Sequence, residues 1–252
     1  MKLTARSFVI TSAVASALPF AAIVSAAAAD LNAPANVMMP TKAPPYIAPY
    51  SWTGFYVGAH VGYGWGSVDN AYVSDPLNTA HLNTSTSPNG VEGGGQIGFN
   101  YEVSNWVLGI EGDIGAADLT GSSSFTPGTG TATLTNKIDW IDDVTGRVGY
   151  AWGPWLLYGK GGWAWSHGTA NITNTATTIT GSSSASLEGW TAGAGVEWMF
   201  IRNWSAKLEY QHFDFGSSQT TTTYTSGQIG LYNTGSTVDL VRVGVNYHFW
   251  AW

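Results

Sequence analysis

The feature that most constrains this chain is a period of two that recurs along its length. In Phe55, Val57, Ala59, Val61, Tyr63 and Trp65 every second residue is apolar or aromatic, while Tyr56, Gly58, His60, Gly62 and Gly64 between them are mostly small or polar. Successive side chains of a β-strand point to opposite faces, so the segment reads as a strand with one apolar and one polar face. The pattern returns at Val91–Tyr101, Trp106–Ile114, Trp140–Tyr150, Trp155–Trp165, Trp190–Trp198, Trp204–Phe215 and Asp239–Phe249. The connections at about 67–90, 117–136, 167–187 and 216–236 are long and rich in Ser, Thr, Asn and Gly, whereas those at about 102–105, 151–154 and 199–203 are tight. Long and short alternate strictly, as they do in barrels that cross an outer membrane with long outer loops and short periplasmic turns. The pattern predicts an all-β, eight-stranded, antiparallel up-and-down transmembrane β-barrel with both chain ends in the periplasm.

Tryptophan gives an independent reading. The chain has 13, and indole prefers the membrane–water boundary, where its ring is apolar and its N–H stays wet. Trp52, Trp106, Trp152, Trp155, Trp198, Trp204, Trp250 and Trp252 fall at the expected periplasmic boundary, and Trp65, Trp140, Trp163, Trp165 and Trp190 at the outer one, as an aromatic girdle. A soluble sandwich built from the same segments would expose their apolar faces to water as aggregation-prone patches. Only 10% of residues are charged, against about a quarter in water-soluble domains, so much of the surface is expected to face something other than water.

The N-terminus carries Lys2 and Arg6 ahead of the apolar, Ala-rich stretch Ser7 to Ala29, which ends in Ser25-Ala-Ala-Ala-Ala29. This reads as a signal peptide over 1–29 with cleavage after Ala29. Residues 30–50, with Pro34, Pro40, Pro44, Pro45 and Pro49, read as an extended periplasmic linker, leaving 51–252 for the barrel. The chain has no Cys, which excludes disulfides, thiolate metal sites and a Cys nucleophile. A net charge of −7 with no basic run argues against a nucleic-acid partner.

Several blocks resemble a known family. Ala43-Pro-Pro-Tyr46, Trp52-Thr-Gly-Phe-Tyr-Val-Gly58 and Val61-Gly-Tyr-Gly-Trp-Gly66 open the resemblance. It continues through Gly146-Arg-Val-Gly-Tyr150, Leu156-Leu-Tyr-Gly-Lys-Gly-Gly162, Gly189-Trp-Thr-Ala-Gly-Ala-Gly-Val-Glu197, Ser205-Ala-Lys-Leu-Glu-Tyr210 and Val241-Arg-Val-Gly-Val-Asn-Tyr247. Together they resemble the small alphaproteobacterial outer-membrane β-barrel proteins, the porin-family or opacity-type surface antigens, related in architecture to the membrane domain of outer-membrane protein A. The resemblance implies a surface-antigen, envelope-structural or porin-like role. It also implies outer-membrane lipid and lipopolysaccharide as surroundings, and periplasmic chaperones and the barrel-assembly machinery as partners during biogenesis. Family members commonly stop at an aromatic residue, here Phe249, whereas this chain adds Trp250-Ala-Trp252, so Phe249 and Trp252 both stand as candidates for the terminal assembly signal.

The residues that could carry chemistry lie on the inward parity of the strands: Glu92, Glu111, Asp113, Asp139, Asp143, Arg147, Lys160, Glu197, Lys207, Glu209 and Arg242, with His60 and His248. Glu111, Arg147, Lys160 and Glu209 each lie five residues from the periplasmic Trp of their strand or adjoining turn, so they should share one level as an ion-pair cluster. An eight-stranded barrel is just wide enough for side chains to fill, so the cluster is expected to plug the lumen. His60 and His248 make only two imidazoles, too few for a metal site. His212 points outward near Ser217 and Ser218, and local sequence fixes no carboxylate beside it, so a nucleophilic site is not expected. The sequence thus reads as a non-enzymatic envelope-structural and surface-exposed barrel of antigen or adhesion type, without catalytic residues, cofactor or metal. A narrow porin-like channel is the alternative, and a lipid-modifying enzyme a more distant one. No ligand of the outer loops is identified.

Overall fold

The structure, a computed structural model, describes residues 50–75, 83–126 and 130–250, with the backbone alone at Trp250. The expected signal peptide, the linker up to residue 49 and Trp252 lie outside the described residues. Nine strands form one antiparallel sheet: β1 (Gly54–Ser74), β2 (Thr84–Thr86), β3 (Asn89–Val103), β4 (Trp106–Phe125), β5 (Ala132–Trp152), β6 (Trp155–Asn174), β7 (Thr180–Ile201), β8 (Trp204–Tyr224) and β9 (Ile229–Trp250). From β3 to β9 each strand pairs with the next, and β9 returns to β1 from Gly54↔Trp250 to Ser74↔Leu231, closing the ring.

Strand β2 is not a ninth wall. It pairs with β1 as β3 does, Val68↔Thr86 continuing the register that ends at Trp65↔Asn89. Pro88 separates the two because it has no amide hydrogen for the ladder, although its carbonyl still accepts the Gly66 amide at 2.9 Å. The ring therefore has the eight walls that the alternation predicts. At one end the walls join through turns at Ser104–Asn105, Gly153–Pro154 and Arg202–Asn203, with Ser104 at φ 58° and Gly153 at φ 62°. Asn105 and Asn203 brace this end by donating from their side-chain amides to the carbonyls of Ala151 and His248, each at 2.8 Å.

At the other end the structure differs from the sequence expectation. The stretches read as long loops are mostly strand, which leaves connections of only 75–83, 126–131, 175–179 and 225–228. Walls of 20–22 residues (β4 to β9) rise about 3.3 Å per residue, roughly twice the ~9–11 residues that cross a bilayer. Beyond the hydrocarbon both faces of a strand can be polar, so no apolar–polar alternation marks these rows. Their Thr residues, β-branched and suited to a pleated surface, hold the ladder nonetheless. Hydroxyl pairs couple the walls there, Ser122 with Thr135 at 2.9 Å and Ser124 with Thr133 at 3.0 Å.

Below these rows the outward face is apolar, as at Ile97, 63% exposed, and Ile114, 65% exposed. Trp65, Trp140, Trp163, Trp165 and Trp190 are exposed at the upper edge of this band, and Trp106, Trp152, Trp155, Trp198 and Trp204 at the lower, where Trp155 stacks on Trp198 at 5.6 Å. Trp52 departs from the expectation. It is 1% exposed and sits inside the barrel mouth, because Glu102 accepts its backbone amide at 2.8 Å while Thr53 Oγ1 accepts the Glu102 amide at 2.9 Å. That clamp folds the incoming chain under the ring and places the indole on the inner side.

Candidate functional site

The inward side chains stack in tiers. At the turn end Trp52, Val107, Ala151, Leu156, Tyr158 and Met199 form an apolar floor. Toward the hairpin end Leu119, Ile138, Ile141, Ala164, Leu187, Phe213, Phe215, Val238 and Leu240 form an apolar ceiling. Between them lie the carboxylates Glu92, Glu111, Asp113, Asp143, Glu197 and Glu209 and the cations Arg147, Lys160, Lys207 and Arg242, all buried.

Strand pairing brings these groups together. Arg147 and Lys160 are register partners on β5 and β6, two cations side by side. Lys160 Nζ lies 2.7 Å from Glu111, 3.1 Å from Asp113, 3.4 Å from Glu209 and 3.9 Å from Asp143. Lys207 lies 3.5 Å from Glu111 and 3.7 Å from Glu209. Arg147 lies 3.5 Å from Glu111 and 3.2 Å from Glu197, and Arg242 lies 3.4 Å from Glu92 and 3.7 Å from Asp143. Every carboxylate of the tier thus has a cation within reach, as charges withdrawn from water require.

Two tyrosines hold Arg147 in place. Its guanidinium carbon sits 4.9 Å from the centre of the Tyr56 ring and 4.8 Å from that of Tyr158, so the cation lies against two π faces. Tyr56 donates its hydroxyl to Glu111 at 2.7 Å and Tyr158 to Glu209 at 2.8 Å. Each ring lies over a glycine of the neighbouring strand, Tyr56↔Gly98 and Tyr158↔Gly195. A Cβ at those glycines would come within 2.2 Å and 2.5 Å of the tyrosine oxygens, so the rings need that space.

The inward histidines do not meet each other. His60 lies 2.6 Å from Gln96 and 2.8 Å from Glu92. His248 bonds Ser205 at 2.8 Å and stands 5.7 Å from the Trp52 ring. Among the described residues no group of three His, Cys, Asp or Glu is disposed to hold a metal ion. Neutral amides that the charge pattern did not single out complete the tier: Gln96 donates to Asn246 at 2.6 Å, Asn246 to Glu197 at 2.7 Å, and Gln211 to Asp143 at 3.0 Å. Their inward parity was the available signal.

One inward assignment is corrected. Asp139 falls where the register of β5 slips between Ile138 and Trp140, so a bulge reverses the parity, turning Ile138 inward and leaving Asp139 half-exposed. Asp139 instead contacts Lys137 at 3.1 Å on the outer side, away from the tier. For His212 the fold supplies the carboxylate that local sequence lacked, since Asp239 on β9 lies 2.7 Å from its Nδ1. Tyr210 donates its hydroxyl to the same Asp239 oxygen at 2.6 Å. Asp239 thus joins Tyr210 and His212 of β8 through one carboxylate oxygen on the outward side of the barrel.

Residues 16–249 match the model of a family described as the outer membrane protein beta-barrel domain. The 31 kDa outer-membrane immunogenic protein of Brucella melitensis is 31% identical over 235 residues, 89% of this chain and 94% of that protein. The 25 kDa outer-membrane immunogenic protein of Brucella abortus is 31% identical over 98% of this chain and 99% of its own length, and a 22 kDa outer membrane protein of Rhizobium leguminosarum is 30% identical over 79% of each. Among solved structures, the outer membrane protease OmpT of Escherichia coli superposes with a TM-score of 0.54 over 81% of this chain and 99% of its own, at 8% identity, a likeness of fold alone. The closed ring, its apolar outer band and these matches agree: the chain belongs to the outer membrane protein beta-barrel family and resides in the outer membrane.

Proposed function

We propose that the protein is a non-enzymatic, envelope-structural barrel with a closed lumen, whose polar upper walls face the cell exterior and whose tight turns face the periplasm. The observation that carries this reading is the charged tier between two apolar layers, with Glu111 and Arg242 fully buried. A solvated channel wall would leave such groups in contact with water. Here the ion pairs fill the bore, and the Trp52 floor and the Leu240 ceiling close it on either side. The surface role, of antigen type, draws support from the names of the Brucella relatives as immunogenic outer-membrane proteins. The surroundings are outer-membrane lipid and lipopolysaccharide, with periplasmic chaperones and the barrel-assembly machinery acting during biogenesis.

Planar-bilayer recording of the refolded, purified protein tests the closed lumen. The parent should show little steady conductance, and Trp52→Ala combined with Lys160→Met should raise it by removing the floor and loosening the tier. Large, steady channels in the parent would instead establish the narrow-pore reading.

A further inference from the structure

Above the apolar ceiling the polar walls of the barrel enclose a cavity of about 80 Å³ that reaches toward the hairpin end. Its base is formed by Ile138 and Leu187 of the ceiling. On one side β5 and β6 contribute Leu134 and Ile172 beside the polar Asn136, Ser166 and Thr169; on the opposite side β8, β9 and β1 contribute the more polar set Thr220, Thr234, Ser236 and Asn70. Two groups of the polar side have hydrogen-bonding capacity unused. Asn70 accepts the Thr234 hydroxyl at 3.0 Å through Oδ1, but its Nδ2 has no partner, and neither has Ser236 Oγ. Both residues are more than nine-tenths buried, at 8% and 5% exposure. The pairings Val68↔Ser236 and Asn70↔Thr234 make them diagonal neighbours on the inner face of β1 and β9, roughly 7–8 Å apart across the ladder, so both face the same part of the cavity. Buried polar groups rarely go unpartnered, because leaving them so costs stability.

Among the described residues that line this space, Lys137 is the charged one, and it is paired, with Asp139 at 3.1 Å and Asp118 at 3.3 Å. At the rim Tyr224 donates to Asp75 at 2.7 Å, and Tyr232 donates to the same carboxylate. Burial, and then the hydrogen bond to Asp75, push the Tyr224 hydroxyl well above its ordinary range, so it stays a neutral donor to that carboxylate. The volume is about half that of an engineered apolar cavity of ~150 Å³ that admits benzene, so the enclosed part takes only a portion of a ring or a short chain, the rest extending toward the hairpin end.

We propose that this cavity binds a small uncharged amphipath from outside the cell: an apolar ring or short chain carrying one hydroxyl or carbonyl. The apolar body lies against β5 and β6, and its oxygen accepts from Asn70 Nδ2 and Ser236 Oγ. This assigns a ligand class to the exterior face and holds whether or not the lumen below conducts.

The test uses the full barrel refolded in lipid nanodiscs and titrated with cyclohexanone, read by residue-resolved NMR at the Asn70 side-chain amide and the Ala185 methyl. Saturating shifts at both are expected. Ser236→Ala should weaken binding about three- to tenfold, the worth of one hydrogen bond, without lowering the unfolding midpoint, because the hydroxyl has no partner to lose. Ala185→Trp, which fills the space, should abolish the shifts. Cyclohexanecarboxylate and cyclohexylammonium, of the same size but charged, should not saturate. The proposal is overturned if cyclohexanone shifts never saturate, if Ala185→Trp leaves the affinity intact, or if either charged probe binds as well as the ketone.

Discussion

Lys160 is the residue on which the charged tier turns, since one ammonium lies within 4 Å of Glu111, Asp113, Glu209 and Asp143. Lys160→Met leaves those carboxylates to two arginines and Lys207. It should cost about 3–5 kcal/mol in denaturant unfolding, as removal of one partner from a buried pair does. Adding Asp113→Asn to that variant should recover part of the loss by deleting a charge that Lys160 had balanced; no recovery would mean that the two do not interact. The glycines under the tyrosines make a second case. Gly195→Val drives a side chain into Tyr158, whose hydroxyl holds Glu209, so its unfolding midpoint should fall while the same change at Gly146, an exposed strand position where an added carbon meets nothing closer than 4.0 Å, should affect the midpoint much less. At this scale the sequence was informative wherever parity ran unbroken: Glu111, Arg147, Lys160 and Glu209 do converge. It misled at Asp139, where one inserted residue reverses the faces, and at Trp52, whose position depends on a hydrogen bond to Glu102, fifty residues away. Neither a bulge nor a long-range clamp leaves a local mark.

Among the elements, β9 carries the closure, because it pairs with β8 on one edge and with β1 on the other. Deleting residues 241–252 would leave both neighbours with open edges in hydrocarbon, at several kcal/mol for each unsatisfied backbone group. The truncated chain should therefore fail to reach the outer membrane, as checked by fractionation and by loss of the heat-modifiable band; normal levels would refute closure. The eight walls were legible in the sequence because lipid on one side and the bore on the other enforce alternation. Their upper halves were not. In rows such as Thr220 to Thr223 of β8 water lies outside and the hydroxyl-bearing side of the cavity inside, so both faces favour the same residues and the period disappears. The parity of β8 also switches at Gly216, at φ 60°, where the register with β9 slips between Asp214 and Ser217.

For the molecule as a whole, the tight turns lie at one end and the hairpins at the other, which makes its orientation a single experiment. With the turns in the periplasm, Thr177→Cys in the 175–179 connection should label on intact cells and Asn105→Cys should label only after permeabilisation. The reverse pattern would invert the barrel. The height of the walls has a further consequence for anything that meets the cell from outside. What projects is a ladder of paired strands with short tips, so an epitope on it is assembled from side chains that lie side by side in space but tens of residues apart in the chain. Thr131, just ahead of β5, and Thr175, just past β6, are one such pair, 44 residues apart, with the Thr175 hydroxyl donating to the Thr131 carbonyl at 3.0 Å. A peptide copied from either segment alone would present half of that surface without its shape, so antibodies raised against the folded barrel should lose it on denaturation, and such peptides should compete poorly for them.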